Sequence, residues 1–180
     1  MKLPSLGIYL FSAVCGLLAS CASGPAVSVA TDYNHKISFA GYKSYSLDLS
    51  QAPELRSTGR AALSDALKSS LAERGISETS AGKADLLVVA RVFTSEKLHT
   101  MPTYNTTFVP YRGGQVGSGL WYMNTDVTQY TEGTLVLDFL DQKRRLIVFR
   151  GVGKGVMSTA ERNAVGIRDG VQKIVADFPR

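Results

Sequence analysis

General-base chemistry at neutral pH falls first to histidine, and this chain of 180 residues has two, His35 and His99. Nucleophilic catalysis needs a nucleophile, a base and a third group that orients the base. His35 stands in a polar turn and His99 opens a Gly- and aromatic-rich stretch, so both read as solvated loop residues. No His, Cys, Asp or Glu set has metal-ligand spacing. There is no phosphate-cradling Gly-Lys-Ser/Thr loop; Gly151, Gly153 and Gly155 instead alternate along a strand, where they indicate close backbone packing. Among the carboxylates, Glu132 and Asp138 share a strand face, but six residues place them roughly 20 Å apart. Glycoside hydrolysis wants its pair within about 5 to 9.5 Å. Asp141 opens a turn, a position that favours Asp through its own backbone hydrogen bonds. Asp138 reads better as a cross-strand partner for Arg150. The expectation is a non-enzymatic protein with no metal and no dissociable cofactor.

The residue with the clearest chemistry is Cys21. It follows Met1-Lys2, an apolar run over residues 6–18, and the small residues Ala19 and Ser20. One positive charge, an apolar run of this length and a small-residue cleavage site describe a secretory signal peptide over residues 1–20. The run falls short of the roughly 20 residues needed to cross a bilayer. Leu18-Ala19-Ser20-Cys21 resembles a bacterial lipobox. That resemblance implies cleavage before Cys21, a thioether-linked diacylglycerol on its sulfur and an acyl chain on its new amino group. Cys15 would leave with the signal peptide, so the two cysteines would form no disulfide. Ala22 and Ser23, in place of an aspartate, imply sorting to the outer membrane, facing the periplasm. Residues 21–26 form a short lipidated tether, and five extended residues reach at most about 17 Å.

The remaining residues, 27–180, have the length of a single domain. Hydrophobic residues are 44% and charged residues 19% of the chain, which excludes a disordered tail. Mean hydropathy of +0.02 excludes a multi-span helical membrane protein. Twenty Lys and Arg against 15 Asp and Glu are too few and too dispersed for a nucleic-acid stripe.

Strand patterns occur at 27–31, 42–47, 84–97, 129–139 and 146–156, the last two joined by the polar turn 141–144. A helix over 54–74 buries Leu63, Ala66, Leu67, Ser70 and Leu71 and stops at Gly75. A second opens at Ser158, with Glu161 at capping-box spacing, and buries Ile167, Val171, Ile174, Val175 and Phe178. The fold class is therefore α+β: a mainly antiparallel sheet of about five strands, with two amphipathic helices packed on one face.

Six stretches taken in order resemble the lipoproteins of domain-of-unknown-function family 4136. They are 29–33, the run Phe39-Ala40-Gly41-Tyr42-Lys43-Ser44-Tyr45, Ala84-Asp85-Leu86-Leu87-Val88, residues 132–141, Val148-Phe149-Arg150-Gly151, and Phe178-Pro179. The resemblance implies a lipid-anchored envelope protein of this α+β kind and assigns no activity.

One segment stands apart. Residues 99–130 hold Tyr104, Phe108, Tyr111, Trp121, Tyr122 and Tyr130, with four glycines at the centre and one residue of each charge, Arg112 and Asp126. Long insertions in small domains are usually functional or disordered, and Trp and Tyr give contact area with few rotors. The six aromatics are the candidate binding surface. A plain extension of the flanking strands into a long hairpin, or insertion of the tip into lipid, would use the same composition. Lys143, Arg144 and Arg145, with Arg150 and Lys154, make a second cluster that reads as a solvated turn near headgroups. The expected function is an interaction or accessory assembly module of the cell envelope, with outer-membrane lipid and an envelope protein as partners. The alternative is a periplasmic glycan- or lipid-binding domain that uses the aromatic insertion.

Overall fold

The computed structural model describes residues 26–108 and 119–179. The expected signal peptide over residues 1–20, Cys21, Tyr111 and the Gly-rich tip lie outside the described residues. Eight elements follow in order: β1 (Val27–Tyr33), β2 (Ser44–Asp48), α1 (Ser57–Ala72), β3 (Ser77–Glu78), β4 (Leu86–Phe108), β5 (Gly119–Asp141), β6 (Leu146–Val156) and α2 (Ala160–Ala176). They build an α+β domain on one six-stranded sheet of order β1-β6-β5-β4-β2-β3.

The sheet is mixed. β1, β6, β5 and β4 pair antiparallel, whereas β2 runs parallel to both β4 and β3. Three of the five pairings are antiparallel, in keeping with the mainly antiparallel expectation; the cause of the parallel β2–β4 pairing is the β2-α1-β4 connection. A strand that returns through a helix re-enters the sheet in its original direction. The sixth strand is β3, whose two residues carry no periodicity of their own.

Alternation sets the faces. Leu86, Val88 and Ala90 of β4 and Leu135, Leu137 and Phe139 of β5 are buried with Leu63, Leu67 and Leu71 of α1 and Val171, Ile174 and Val175 of α2. Both helices start at one end of the sheet and finish at the other, where the Arg74 guanidinium after α1 donates to the carbonyls of Ala176 and Phe178.

Local chemistry accounts for the helix limits. Residues 54–56 stay outside α1, because Leu55 N–H bonds the Ala52 carbonyl at 3.2 Å. The Arg60 guanidinium also holds the carbonyls of Leu55 (2.8 Å) and Ala52 (3.0 Å). At the far end, Ile76 N–H reaches back to Leu71 (3.0 Å) and Gly75 N–H to Ala72 (2.9 Å), with Gly75 at φ +74°. That is a Schellman closure, and the left-handed backbone is why glycine stands there. α2 is capped one residue later than the spacing indicated: Thr159 Oγ1 accepts from Arg162 N–H at 3.4 Å. Ser158 is held instead by Asn163, whose side chain accepts from the Ser158 N–H (2.7 Å) and donates to its carbonyl (3.2 Å).

Candidate functional site

Past the sheet proper, β4 and β5 continue as a two-stranded ribbon. Their register is unbroken from Leu86↔Asp141 to Phe108↔Gly119. β2 leaves β4 at Val89, and β6 leaves β5 at Glu132. From Lys97↔Tyr130 outward the two strands pair only with each other, over about 40 Å at ~3.4 Å per residue. The segment 99–130 is thus no separate insertion at its base: the strands expected at 84–97 and 129–139 run on through it. Thr and Tyr suit extended backbone. Pro102 is accommodated because β4 is an edge there and needs a hydrogen bond on one side only.

Alternation along the ribbon groups Leu98, Tyr104, Met123 and Val127 on one face, exposed by 69%, 71%, 62% and 59%. On the other face stand Lys97, His99, Met101, Thr103 and Asp126, with Thr103 donating to Asp126 at 2.8 Å. Of the six aromatics singled out in the sequence, Tyr104 projects into solvent and Tyr130 is half-buried at the base. Trp121 and Tyr122 stand opposite Thr106 and Asn105 in the register, Phe108 opposite Gly119, and Tyr111 lies in the undescribed tip. His99 is an exposed ribbon residue opposite Thr128, not a loop residue. His35 is exposed and packs on Tyr33 at 4.1 Å between ring centroids. Among the described residues, no three His, Cys, Asp or Glu side chains could hold a metal ion, and no helix is long and apolar enough to cross a membrane.

The ribbon leaves from the end of the sheet where β1 begins: Val27 pairs with Gly155, Gly155 with Gly133, and Gly133 with Thr94. At that end lies a groove of about 540 Å³ between the sheet and the first turns of both helices. Val27, Leu55, Val92, Leu135 and Ile167 supply apolar surface, and Gly59, Gly133, Gly153, Gly155, Gly166 and Gly170 bring bare backbone to its walls. Arg56, Arg162 and Glu54 also line it, all three exposed. No residue of the groove was expected as a site, because it is drawn from six elements that no local spacing connects. The available signal was glycine inside helices, at Gly59, Gly166 and Gly170, where it costs about 1 kcal/mol relative to alanine.

The opposite end of the sheet carries buried and half-buried polar clusters. Tyr42 donates to Asp141 at 2.8 Å, and the Lys143 and Arg144 N–H groups and the Arg144 guanidinium reach the same carboxylate, each at 2.8 Å. Burial and the Asp141 carboxylate push the Tyr42 hydroxyl up to about 12. Burial pushes the Asp141 carboxyl upward, but the Arg144 N–H, the Tyr42 hydroxyl, the Arg144 guanidinium and the Lys143 N–H outweigh it and hold it below the ordinary value. Asp85 is lowered by the Lys43 N–H and the Ser44 hydroxyl, which fix the start of β2. On the helix-free face, Asp138 is 1% exposed and lies between the guanidiniums of Arg91 and Arg150, with Arg150 opposite it in the register. Arg144 and Arg150 are therefore turned to internal carboxylates and do not add to a free cationic patch.

The pH dependence follows. A carboxyl whose folded pKa is depressed contributes stability that is complete above its unfolded value of about 3.9 and is lost as pH falls through the folded one. Asp141→Asn is therefore expected to lower Tm near pH 7 while making the fall below about pH 4 shallower. Thermal melts of both proteins across that window measure it, and parallel curves would remove Asp141 from the acid transition.

Comparison with solved structures places this architecture among known ones. A PDZ domain protein from Parabacteroides distasonis superposes with a TM-score of 0.56 at 14% identity over 87% of this chain, which shows a shared fold. This chain spans 36% of that protein's length. Two PelC dodecamer structures from Paraburkholderia phytofirmans give TM-scores of 0.48 and 0.44 at 11% and 9% identity. Each match covers 84% of this chain, with 95% and 96% of the PelC chains. A comparison with curated proteins finds no match. The six sequence stretches, the α+β fold and a family-model match over residues 29–180 agree, and the chain belongs to the family described as Domain of unknown function (DUF4136).

Proposed function

We propose that the protein is a lipid-anchored, periplasm-facing outer-membrane module that acts by contact rather than catalysis, and that the β4–β5 ribbon is its contact element. The supporting observation is the ribbon itself, which presents Leu98, Tyr104, Met123 and Val127 to solvent on one face. A two-stranded ribbon is marginal alone in water, and contiguous exposed apolar surface marks interaction sites. Its two free backbone edges invite strand addition by a partner. Anchoring through Cys21 fits the geometry, since the tether enters at Val27, at the end of the sheet from which the ribbon projects. A ribbon of about 40 Å and a tether of about 17 Å leave the same end. The ribbon would therefore lie along the membrane or enter it, among other envelope proteins.

The test joins Lys97 to Tyr130 through Asn-Gly, a two-residue turn suited to that antiparallel pair. Helix content should persist and sheet content should fall only by the deleted parts of β4 and β5, with Tm within a few degrees, because the core stops short of the ribbon. In vivo crosslinking with mass spectrometry should lose the protein partners seen with the intact chain. An unchanged set of crosslinked proteins would overturn the ribbon as the contact element. Cys21→Ala should release the protein from membranes, and retention there would overturn the lipid anchor.

A further inference from the structure

The groove at the head of the helices is separate from the ribbon and unused by it. Its volume of about 540 Å³ lies within the range of small-molecule sites, roughly 300–1,000 Å³. The floor is the helix-facing side of β4, β5 and β6, whose backbone groups are already committed to the sheet ladder. The strand backbone of the floor therefore has no free partners for the amides of a bound peptide, and an unpaired amide is costly away from water. A hydrocarbon chain has no such requirement. Gly153, Gly155 and Gly170 let strand and helix close around Val27, whose side chain stands 3.3–3.7 Å from where a Cβ on each would lie. Arg56, the N-cap of α1, Arg162, in the first turn of α2, and Lys154 of β6 line the groove against the single acid Glu54.

We propose that this groove binds a single-chain anionic amphiphile, with its hydrocarbon along Val92, Leu135 and Ile167 and its headgroup between Arg56 and Arg162. The inference stands on the groove alone. It draws on the reading of Cys21 as an anchor only for the source of the ligand: Val27 forms part of the wall, so a membrane-held tether would bring the groove close to lipid.

The probe is palmitate, titrated below its aggregation threshold into full-length Cys21→Ser protein, with monopalmitoylglycerol as the uncharged counterpart. Arg56→Glu/Arg162→Glu places acids at two helix N-termini, where they favour the helix, so a binding defect in this variant is not unfolding. It should weaken palmitate by at least about tenfold, the loss of one charge-assisted hydrogen bond, and leave monopalmitoylglycerol within about twofold. Thr58→Trp, at an exposed groove position, should abolish saturable binding of both. All variants keep the apolar residues 6–18, so binding there would be common to all and would cancel. Equal affinities across wild type and variants, or no saturable binding, would overturn the site. Uptake by the Cys21→Ser protein but not by the lipidated chain would overturn the free ligand in favour of the protein's own acyl group. The ribbon-deleted chain should bind palmitate normally, which separates failure of this site from failure of the ribbon.

Discussion

Phe178→Ala is expected to destabilise the domain by about 3–5 kcal/mol, or roughly 6–20 °C in Tm at this size. Phe178 is 3% exposed and lies just past the end of α2, where its N–H bonds Val175 at 3.0 Å. Its ring stands 5.1 Å from Phe39, 5.2 Å from Phe139 and 5.1 Å from Phe149 between centroids. Those rings come from the β1–β2 loop, β5 and β6, so one side chain joins three distant parts of the chain to the second helix. Removing it leaves a cavity walled by sheet aromatics that cannot collapse together, which is why the upper part of the range applies. Chemical denaturation of the wild type and the variant gives the value directly. A loss under about 1 kcal/mol would mean that the end of α2 is held by the backbone and not by this cluster.

Gly151→Ala is expected to be nearly as damaging although it adds one carbon. A Cβ built on Gly151 would stand 2.1 Å from Cγ2 of Ile174 and 2.9 Å from its Cγ1. Ile174 is fully buried, so it has no free direction in which to move. Either α2 lifts from β6 or the side chain leaves its rotamer, and overpacking of this kind costs about 1–3 kcal/mol or more. The mechanism carries its own control. Ile174→Ala alone should cost about 2–5 kcal/mol, but the double variant should be more stable than the sum of the two losses by over 0.5 kcal/mol, roughly the limit of additivity. Strict additivity in denaturant melts would show that Gly151 is needed for its backbone and not for the approach of Ile174.

Much of this architecture was legible because it depends on local spacing. The apolar stripe of α1 at Leu63, Leu67 and Leu71 and that of α2 at Val171, Ile174 and Val175 are buried as their periodicity requires. The hairpin turn works through Asp141, and Asp138 does meet Arg150. The unbroken apolar run at 86–90 marked a central strand, and β4 is flanked by β5 and β2.

What escaped the sequence depends on how elements meet. Pairing direction was inferred from hairpins, while β2 and β4 are joined through a helix, so the parallel ladder carried no turn signal. The α2 cap moved by one residue because Asn163 competes for Ser158, an arrangement visible only once the helix is formed. Gly151 was readable as a site of close packing, but not that its neighbour is Ile174. The groove had no linear signature at all, since its walls are assembled from both helices and four strands.

The position of β1 governs when the domain can be completed. It is an edge strand whose one partner in the sheet is β6, with Val27 opposite Gly155 and Tyr33 opposite Phe149. Chain order and pairing order are therefore reversed: the first strand to emerge from a ribosome or a translocation pore is among the last able to pair. Until residues 146–156 have followed, β1 is an unpaired edge, the state in which nascent chains are most open to wrong partners. The β2-α1-β4 unit, by contrast, closes over short sequence distances and can form early. Synthesis of this domain thus ends with β1 still unpaired, and that strand is fixed only after residues 146–156 have followed.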